Sequence, residues 1–171
     1  AASDVYKRQS LHREGLLLDK TIFEVEISNS GPKSYETATV MKMPASFAEF
    51  SDALQKARIK DGSFCKNELT CIHYNGLTHA MIGWNANLYD LNLFAQRLAS
   101  LTEEQKKGMD ALLKIKQNHR VAPIPLNQLI NLTYNTDICC FAPRVSNHEE
   151  LGAFLYANEM LSNEAMALLD T

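Results

Sequence analysis

The spacing of apolar residues changes once along this chain, and that change limits what it can fold into more than any other feature. After Thr21, Phe23, Val25 and Ile27 alternate with Glu24 and Glu26, a period of two that turns one face of a strand to a core and the other to water. Further on, Leu88, Leu91, Phe94, Ala95, Leu98 and Leu101 recur every three or four positions, the period of a helix with a wide buried stripe. A single switch of this kind predicts an α+β fold: a small N-terminal antiparallel sheet with one helix, then a mostly helical C-terminal part. Phe23, Val25, Leu91, Leu98, Leu112, Leu132, Leu151 and Phe154 are the expected interior.

Local signals fill in this outline. Asn29-Ser30-Gly31-Pro32 reads as a turn, Thr37 to Met43 as a second strand stopped by Pro44, and Ser63 to Tyr74 as one or two more. Ser46 is placed to cap a helix through Phe47, Phe50, Leu54 and Ala57, with Asp61-Gly62 ending it. Asn75 to Asn87 reads as irregular. Thr102-Glu103-Glu104-Gln105 and Ser146-Asn147-His148-Glu149 both have the spacing of a capping box, in which a side chain three residues on reaches back to the helix start. Pro123 and Pro125 isolate a short helix from Leu126 to Leu132, and Ser162 is placed to cap a last turn. Asp4 to Gln9 reads like the translation of a transposase end used in preparing sequencing libraries, so residues 1–20 are set aside as an artefactual or unstructured lead-in. The expected organisation is an α+β subdomain over 21–86 and a helical one over 87–171.

With 46% apolar and 22% charged residues and a formal charge of -3, the 171-residue chain has the make-up of a globular domain, not of a disordered or collagen-like one. No uncharged apolar run approaches the roughly 20 residues of a membrane span, and no secretory pattern precedes the first cysteine. A cytoplasmic protein with reduced thiols is the expectation. A pI near 6.0 removes the general attraction to phosphate that nucleic-acid binders use, so direct nucleic-acid binding is not expected. The acidity is uneven. Residues 131–171 hold one basic and six acidic side chains, against nine and eight in 1–60 and seven and six in 61–130.

Chemistry-bearing motifs are scarce. Cys65-x5-Cys71-x-His73-x5-His79 gathers four zinc-ligand types within 15 residues, but the spacing fits neither a knuckle nor a finger, and buried thiols with satisfied histidines explain it better. The adjacent Cys139 and Cys140 point to opposite faces of an extended segment. A glycine-rich phosphate loop, a GxSxG elbow, an HExxH helix and a calcium loop are all absent from the sequence. No catalytic residue, cofactor or metal is assigned. Glu103-Glu104 and Glu149-Glu150 lie in first helical turns, where the macrodipole favours negative charge. Trp84, Tyr89 and Asp90 form a possible secondary recognition patch, with the Trp more ordinarily a lid on the core.

Several pieces in the second half follow one another in a recognisable order: Asn87-Leu88-Tyr89-Asp90-Leu91-Asn92, Leu93-Phe94-Ala95-Gln96-Arg97-Leu98, Leu129-Ile130-Asn131-Leu132-Thr133-Tyr134-Asn135 and Glu149-Glu150-Leu151-Gly152. The series resembles antirestriction proteins of the ArdA type, in particular a divergent branch found on conjugative and integrative elements of gut bacteria. The likeness is best from about Asn87 to Leu161 and looser back to Thr21. It implies a non-catalytic, elongated, acidic homodimer whose carboxylates imitate DNA phosphates and occupy the DNA groove of type I restriction-modification enzymes. On that resemblance Asp137, Glu149, Glu150, Glu159 and Glu164 are the expected partner-binding face. Typical members are more acidic than -3, and here Lys106, Lys107, Lys114 and Lys116 ride on one central helix. The alternative is a structural or regulatory protein-interaction module of a mobile element that does without DNA mimicry.

Overall fold

The computed structural model describes residues 20–31, 34–62, 65–83, 85–117, 123–138, 145–158 and 160. It has the expected α+β architecture, a three-stranded antiparallel sheet followed by helices. The strands β1 (Phe23–Ser28), β2 (Thr39–Met43) and β3 (Lys66–Ile72) lie in the order β2-β1-β3. Phe23 pairs with Met43 and Val25 with Met41, so period-two residues from neighbouring strands meet on one face. Phe23, Val25, Ile27, Met41, Met43 and Leu69 are buried there, while Glu26, Lys42, Lys66 and Glu68 face water. Between β1 and β3 the register slips: Glu24 pairs with Cys71 but Val25 with Leu69. Thr70 is the extra residue, and its hydroxyl donates to the Glu24 carbonyl at 3.1 Å.

Six α-helices occur among the described residues: α1 (Phe47–Lys56), α2 (His79–Ile82), α3 (Leu88–Ser100), α4 (Glu103–Gln117), α5 (Leu126–Leu132) and α6 (His148–Ala157). Ser46 caps α1 reciprocally: the Glu49 amide donates to its hydroxyl at 3.3 Å and its own amide donates to Glu49 Oε2 at 2.8 Å. That helix ends earlier than the Asp61-Gly62 signal implies, because Arg58 adopts a left-handed φ of 54° directly after the Ala57 cap. A single strand, β3, occupies the stretch read as one or two. The stretch read as irregular contains α2, whose one turn buries Met81 and Ile82 and is too short to display a period.

Helix α3 is the centre of the packing. Asn87 caps it, accepting from the amides of Tyr89 at 2.9 Å and Asp90 at 3.4 Å, and Leu88, Leu91, Phe94, Ala95 and Leu98 are buried along it. Phe94 meets Phe23 of the sheet with ring centroids 5.8 Å apart. Its Asn92 is fully buried and closes a two-way hydrogen bond on one residue of the β2–α1 corner: Oδ1 accepts from the Ala45 amide at 2.7 Å and Nδ2 donates to the Ala45 carbonyl at 3.0 Å. The Thr102 and Gln105 box starts α4, which buries Met109, Leu112 and Leu113. Burying a side chain of this size stabilises by about 1.5–3 kcal/mol. One core therefore joins sheet and helices, and position 86/87 marks a change of secondary structure inside it.

The chain divides instead between Ile138 and Cys139 into two compact units. In the second, α6 starts one residue later than its capping motif implies. Asn147 is the cap, accepting from the Glu150 amide at 2.8 Å, and Glu150, not Glu149, reaches back to the Ser146 amide at 2.6 Å. Asn and Ser cap equally well, so the motif is legible in both frames. The expected interior needs correction here. None of the α6 residues is buried, Leu151 is 38% exposed, and Phe154 and Leu132 are only half-buried. A helical period says which face is able to be covered, not that a partner covers it. Ser162, expected to cap a last turn, and Cys139-Cys140 lie outside the described residues, as does all of the lead-in but Lys20. Among the described residues no helix is long and apolar enough to cross a membrane.

Candidate functional site

Of the five expected partner-binding carboxylates, three are described. Asp137 is exposed in a 3-10 turn, Thr136–Ile138, that closes the first unit, while Glu149 and Glu150 are exposed in the first turn of α6 in the second. Glu159 and Glu164 lie outside the described residues. Hydrogen bonds from the Ser146 amide and hydroxyl hold the Glu150 carboxyl below the usual glutamate range. Glu150 is thus committed to the helix start as well as to the surface.

Of the expected secondary patch, only Tyr89 and Asp90 are described. Trp84 lies outside the described residues, and Tyr89 is half-buried, stacked on Phe50 at 5.0 Å between centroids. Asp90 is half-buried too, and burial pushes its carboxyl upward. Through Phe50, Tyr89 is packed against α1 and the core. Of the four residues with zinc-ligand chemistry, Cys71 and His73 stay together at the far end of β3, Sγ and Nδ1 3.9 Å apart, whereas Cys65 is buried before β3 and His79 opens α2. Burial pushes the Cys65 thiol up. Among the described residues no three His, Cys, Asp or Glu side chains converge so as to hold a metal ion.

Two arrangements emerge that no spacing in the sequence signals. In the first, Arg97 of α3 joins two of the recognisable pieces. Its guanidinium donates to the Thr133 hydroxyl at 3.3 Å and to the Thr133 carbonyl at 3.2 Å, and lies 3.9 Å over the Tyr134 ring. The α5 C-terminus is thereby locked to the centre of the fold.

The second is a cleft of about 520 Å³ between the start of β1, the loop after β3, the end of α3 and the first half of α4. Tyr74 and Asp110 line it, and the Tyr74 hydroxyl and Asp110 Oδ1 are both buried without a hydrogen-bond partner. Gly76 makes this approach feasible. Its φ of 87° belongs to glycine, and a Cβ there would stand 3.0 Å from Asp110 Oδ1. Lys20, Lys106 and Lys107 line the same cleft, with Lys106 paired to Glu103. That pairing, aided by Lys20 and Lys107, holds the Glu103 carboxyl below its ordinary range, while burial raises that of Asp110 against the opposing influence of Lys114. Burial, reinforced by Asp110 and Glu103, drives the Tyr74 hydroxyl far up, so it stays a proton donor. Tyr74 and Asp110 are 36 positions apart in the chain, and only the fold brings them together.

Comparison with protein-family models, with curated proteins and with solved structures finds no match to this chain.

Proposed function

We propose that this chain is an antirestriction-like protein of a mobile genetic element, a non-catalytic inhibitor that offers an acidic surface to type I restriction-modification enzymes in place of DNA phosphates. The observation that carries the reading is the partition of charge between the two units. Residues 139–171 hold five acidic side chains and one basic, whereas residues 1–138 hold 15 and 16. Duplex DNA carries about one charge per 1.7 Å of its axis, and its partners bind largely through that field. A segment as one-sided as 139–171 offers a like field, and Glu149 and Glu150 are exposed on it. The Arg97–Thr133–Tyr134 junction adds support, since it joins in space two of the pieces that carry the ArdA resemblance. The reading involves a protein partner, no cofactor and no metal, an action inside the cytoplasm, and a homodimer as the assembly the resemblance implies.

Inhibition of a purified type I enzyme cutting unmodified DNA tests it. The parent protein is expected to protect the DNA, more strongly at low salt, and Glu159→Gln with Glu164→Gln to protect less while melting at the same temperature. Equal protection by the double variant across a salt series would refute acidic mimicry. A second reading, an interaction module without mimicry, is favoured by the exposed Leu151, Tyr156 and Met160 of the same unit. It predicts that Leu151→Ser with Tyr156→Ser, not the carboxylate change, abolishes binding.

A further inference from the structure

We propose that Cys71 is a modification site, a thiol that forms mixed disulfides with small disulfides, with His73 taking up its proton and Glu24 orienting His73. The bulge in β3 creates the site. Leu69 faces the core opposite Val25, and regular alternation would send Cys71, two positions on, to the same side. Because Thr70 is the extra residue, Cys71 instead lies opposite Glu24, on the face that carries Glu26, Lys42, Lys66 and Glu68, and Ile72 falls opposite the buried Phe23. His73 follows two positions later. Its Nδ1 is 3.9 Å from the Cys71 sulfur, and its Nε2 is 3.5 Å from Glu24 Oε1.

Thiol, imidazole and carboxylate in that order form the arrangement that activates a cysteine: a nucleophile, a base, and a third group that orients the base. The tautomer that donates its Nε2–H to Glu24 leaves Nδ1 bare toward the sulfur. None of the three is sealed from solvent, for Cys71 is half-buried and the side chains of His73 and Glu24 are 44% and 31% exposed. Of the other charged groups, Lys42 is in register with Glu24 from the opposite side of β1, Glu26 and Glu68 face each other further along the strands, and Lys20 lines a cleft together with His73. In the exchange the Cys71 proton passes to Nδ1, the sulfur bonds to one sulfur of the disulfide, and the bond between the two disulfide sulfurs breaks. The second sulfur leaves as a thiolate and takes the proton from His73. Cys71 is thereby oxidised and the leaving sulfur reduced. Cys65 is the internal contrast: it is buried, its thiol donates to the Gly62 carbonyl at 3.7 Å, and burial keeps its proton on.

The reduced full chain is treated with glutathione disulfide, and peptide mass spectrometry follows each cysteine over time. Access alone never makes a folded thiol faster than an unfolded one, so the same chain in urea is the reference. An ordinary thiol is only about 3% thiolate at pH 7, which leaves room for up to about thirtyfold activation. Cys71 is expected to react about three- to tenfold faster in the folded chain than in urea at pH 7, since a hydrogen-bonded thiolate is a weaker nucleophile and gives back part of the gain. Cys65 should be slower folded than unfolded. His73→Gln should bring Cys71 down to the urea rate or below it at pH 7, and Glu24→Gln part of the way, with both converging on the parent near about pH 10, where the thiolate forms unaided. If folded Cys71 reacts no faster than in urea, or if His73→Gln with parent-like circular dichroism keeps the parent's rate at pH 7, the proposal is overturned and Cys71 is an ordinary surface thiol. The folded-against-urea comparison is made on the parent alone, so it decides the matter even where a variant fails to fold.

Discussion

Replacing Asn92 with Leu isolates the contribution of one buried clamp. The side chain is fully buried and makes two short hydrogen bonds to Ala45, which is itself buried. Leucine matches asparagine in length and breaks both bonds, leaving an amide and a carbonyl without partners in the core. Each stranded group costs about 1–3 kcal/mol, so the pair amounts to roughly 2–6 kcal/mol, partly offset by the greater apolarity of leucine. Domains of this size are stable by only about 5–15 kcal/mol, so urea denaturation resolves the loss easily. Asn92→Asp gives a second reading with a pH signature. Its carboxyl is able to reproduce the donor to the Ala45 carbonyl only when protonated, which raises its folded pKa above the unfolded value. A group so raised binds more protons when folded, so stability relative to the parent falls as pH rises through the unfolded value toward the folded one. Asn92→Asp should therefore lie closest to the parent near pH 4 and fall furthest behind at pH 7 and above. If Asn92→Leu loses less than about 1 kcal/mol, the clamp is not the fastening it is taken to be here, whatever its geometry.

Other perturbations have defined outcomes. In Gly108→Ala the new Cβ would collide with the Thr136 carbonyl oxygen, a backbone atom, so the variant should lose about 1–3 kcal/mol in denaturant melts despite the better helix propensity of alanine. Removing the α1 cap with Ser46→Ala should lower stability by about 0.5–2 kcal/mol. The Ser46 amide, and after it the Ser46 hydroxyl, hold the Glu49 carboxyl low; alanine keeps the amide, so only the hydroxyl's share is removed, a share present above the ordinary glutamate pKa and lost as pH falls through the depressed one. The gap between parent and Ser46→Ala should hence narrow in melts taken from about pH 6 down to about pH 3. Arg97→Ala should release the α5 C-terminus from α3, seen as faster amide exchange at Thr133 and Tyr134, while Arg97→Lys should restore only part of the protection because it loses the planar fork.

Most of the fold was legible because it rests on signals carried by neighbouring residues. The Ser46 and Thr102 caps, the period-two strand at Phe23 and the proline-bounded α5 are each decided within about a dozen positions. Failures arose where a local pattern was shared by two frames or needed a distant partner. Asn147 and Ser146 cap equally well, and the apolar stripe of α6 gives no sign that none of its residues is buried. The cleft was invisible for a related reason: Tyr74 ends a strand reading and Asp110 sits among lysines of a helix, and each has an ordinary local role. Tyr89 misled in the opposite sense, since an aromatic beside an asparagine-rich loop looks like a recognition element until Phe50 is found stacked on it.

The two units differ in what their charges are able to do. In the first, nearly balanced charges give exposed pairs such as Asp52 with Lys56, at 2.7 Å, whose fields cancel within a few ångströms. The sequence of residues 139–171 sets one arginine, Arg144, against five carboxylates, and unbalanced charge of this kind acts out to the screening length, about 8 Å at physiological ionic strength. Glu150 illustrates how the same residue serves stability and charge together, because a carboxylate that caps a helix keeps its negative charge to lower pH than a free one. Glu150 therefore stays charged further into the acid range than a carboxylate without such hydrogen bonds. Under the proposed reading the acidic role falls to residues 139–171, and a net charge of only -3 over the whole chain does not count against it, because the nearly balanced charges of residues 1–138 mask a net charge of -4 in residues 139–171.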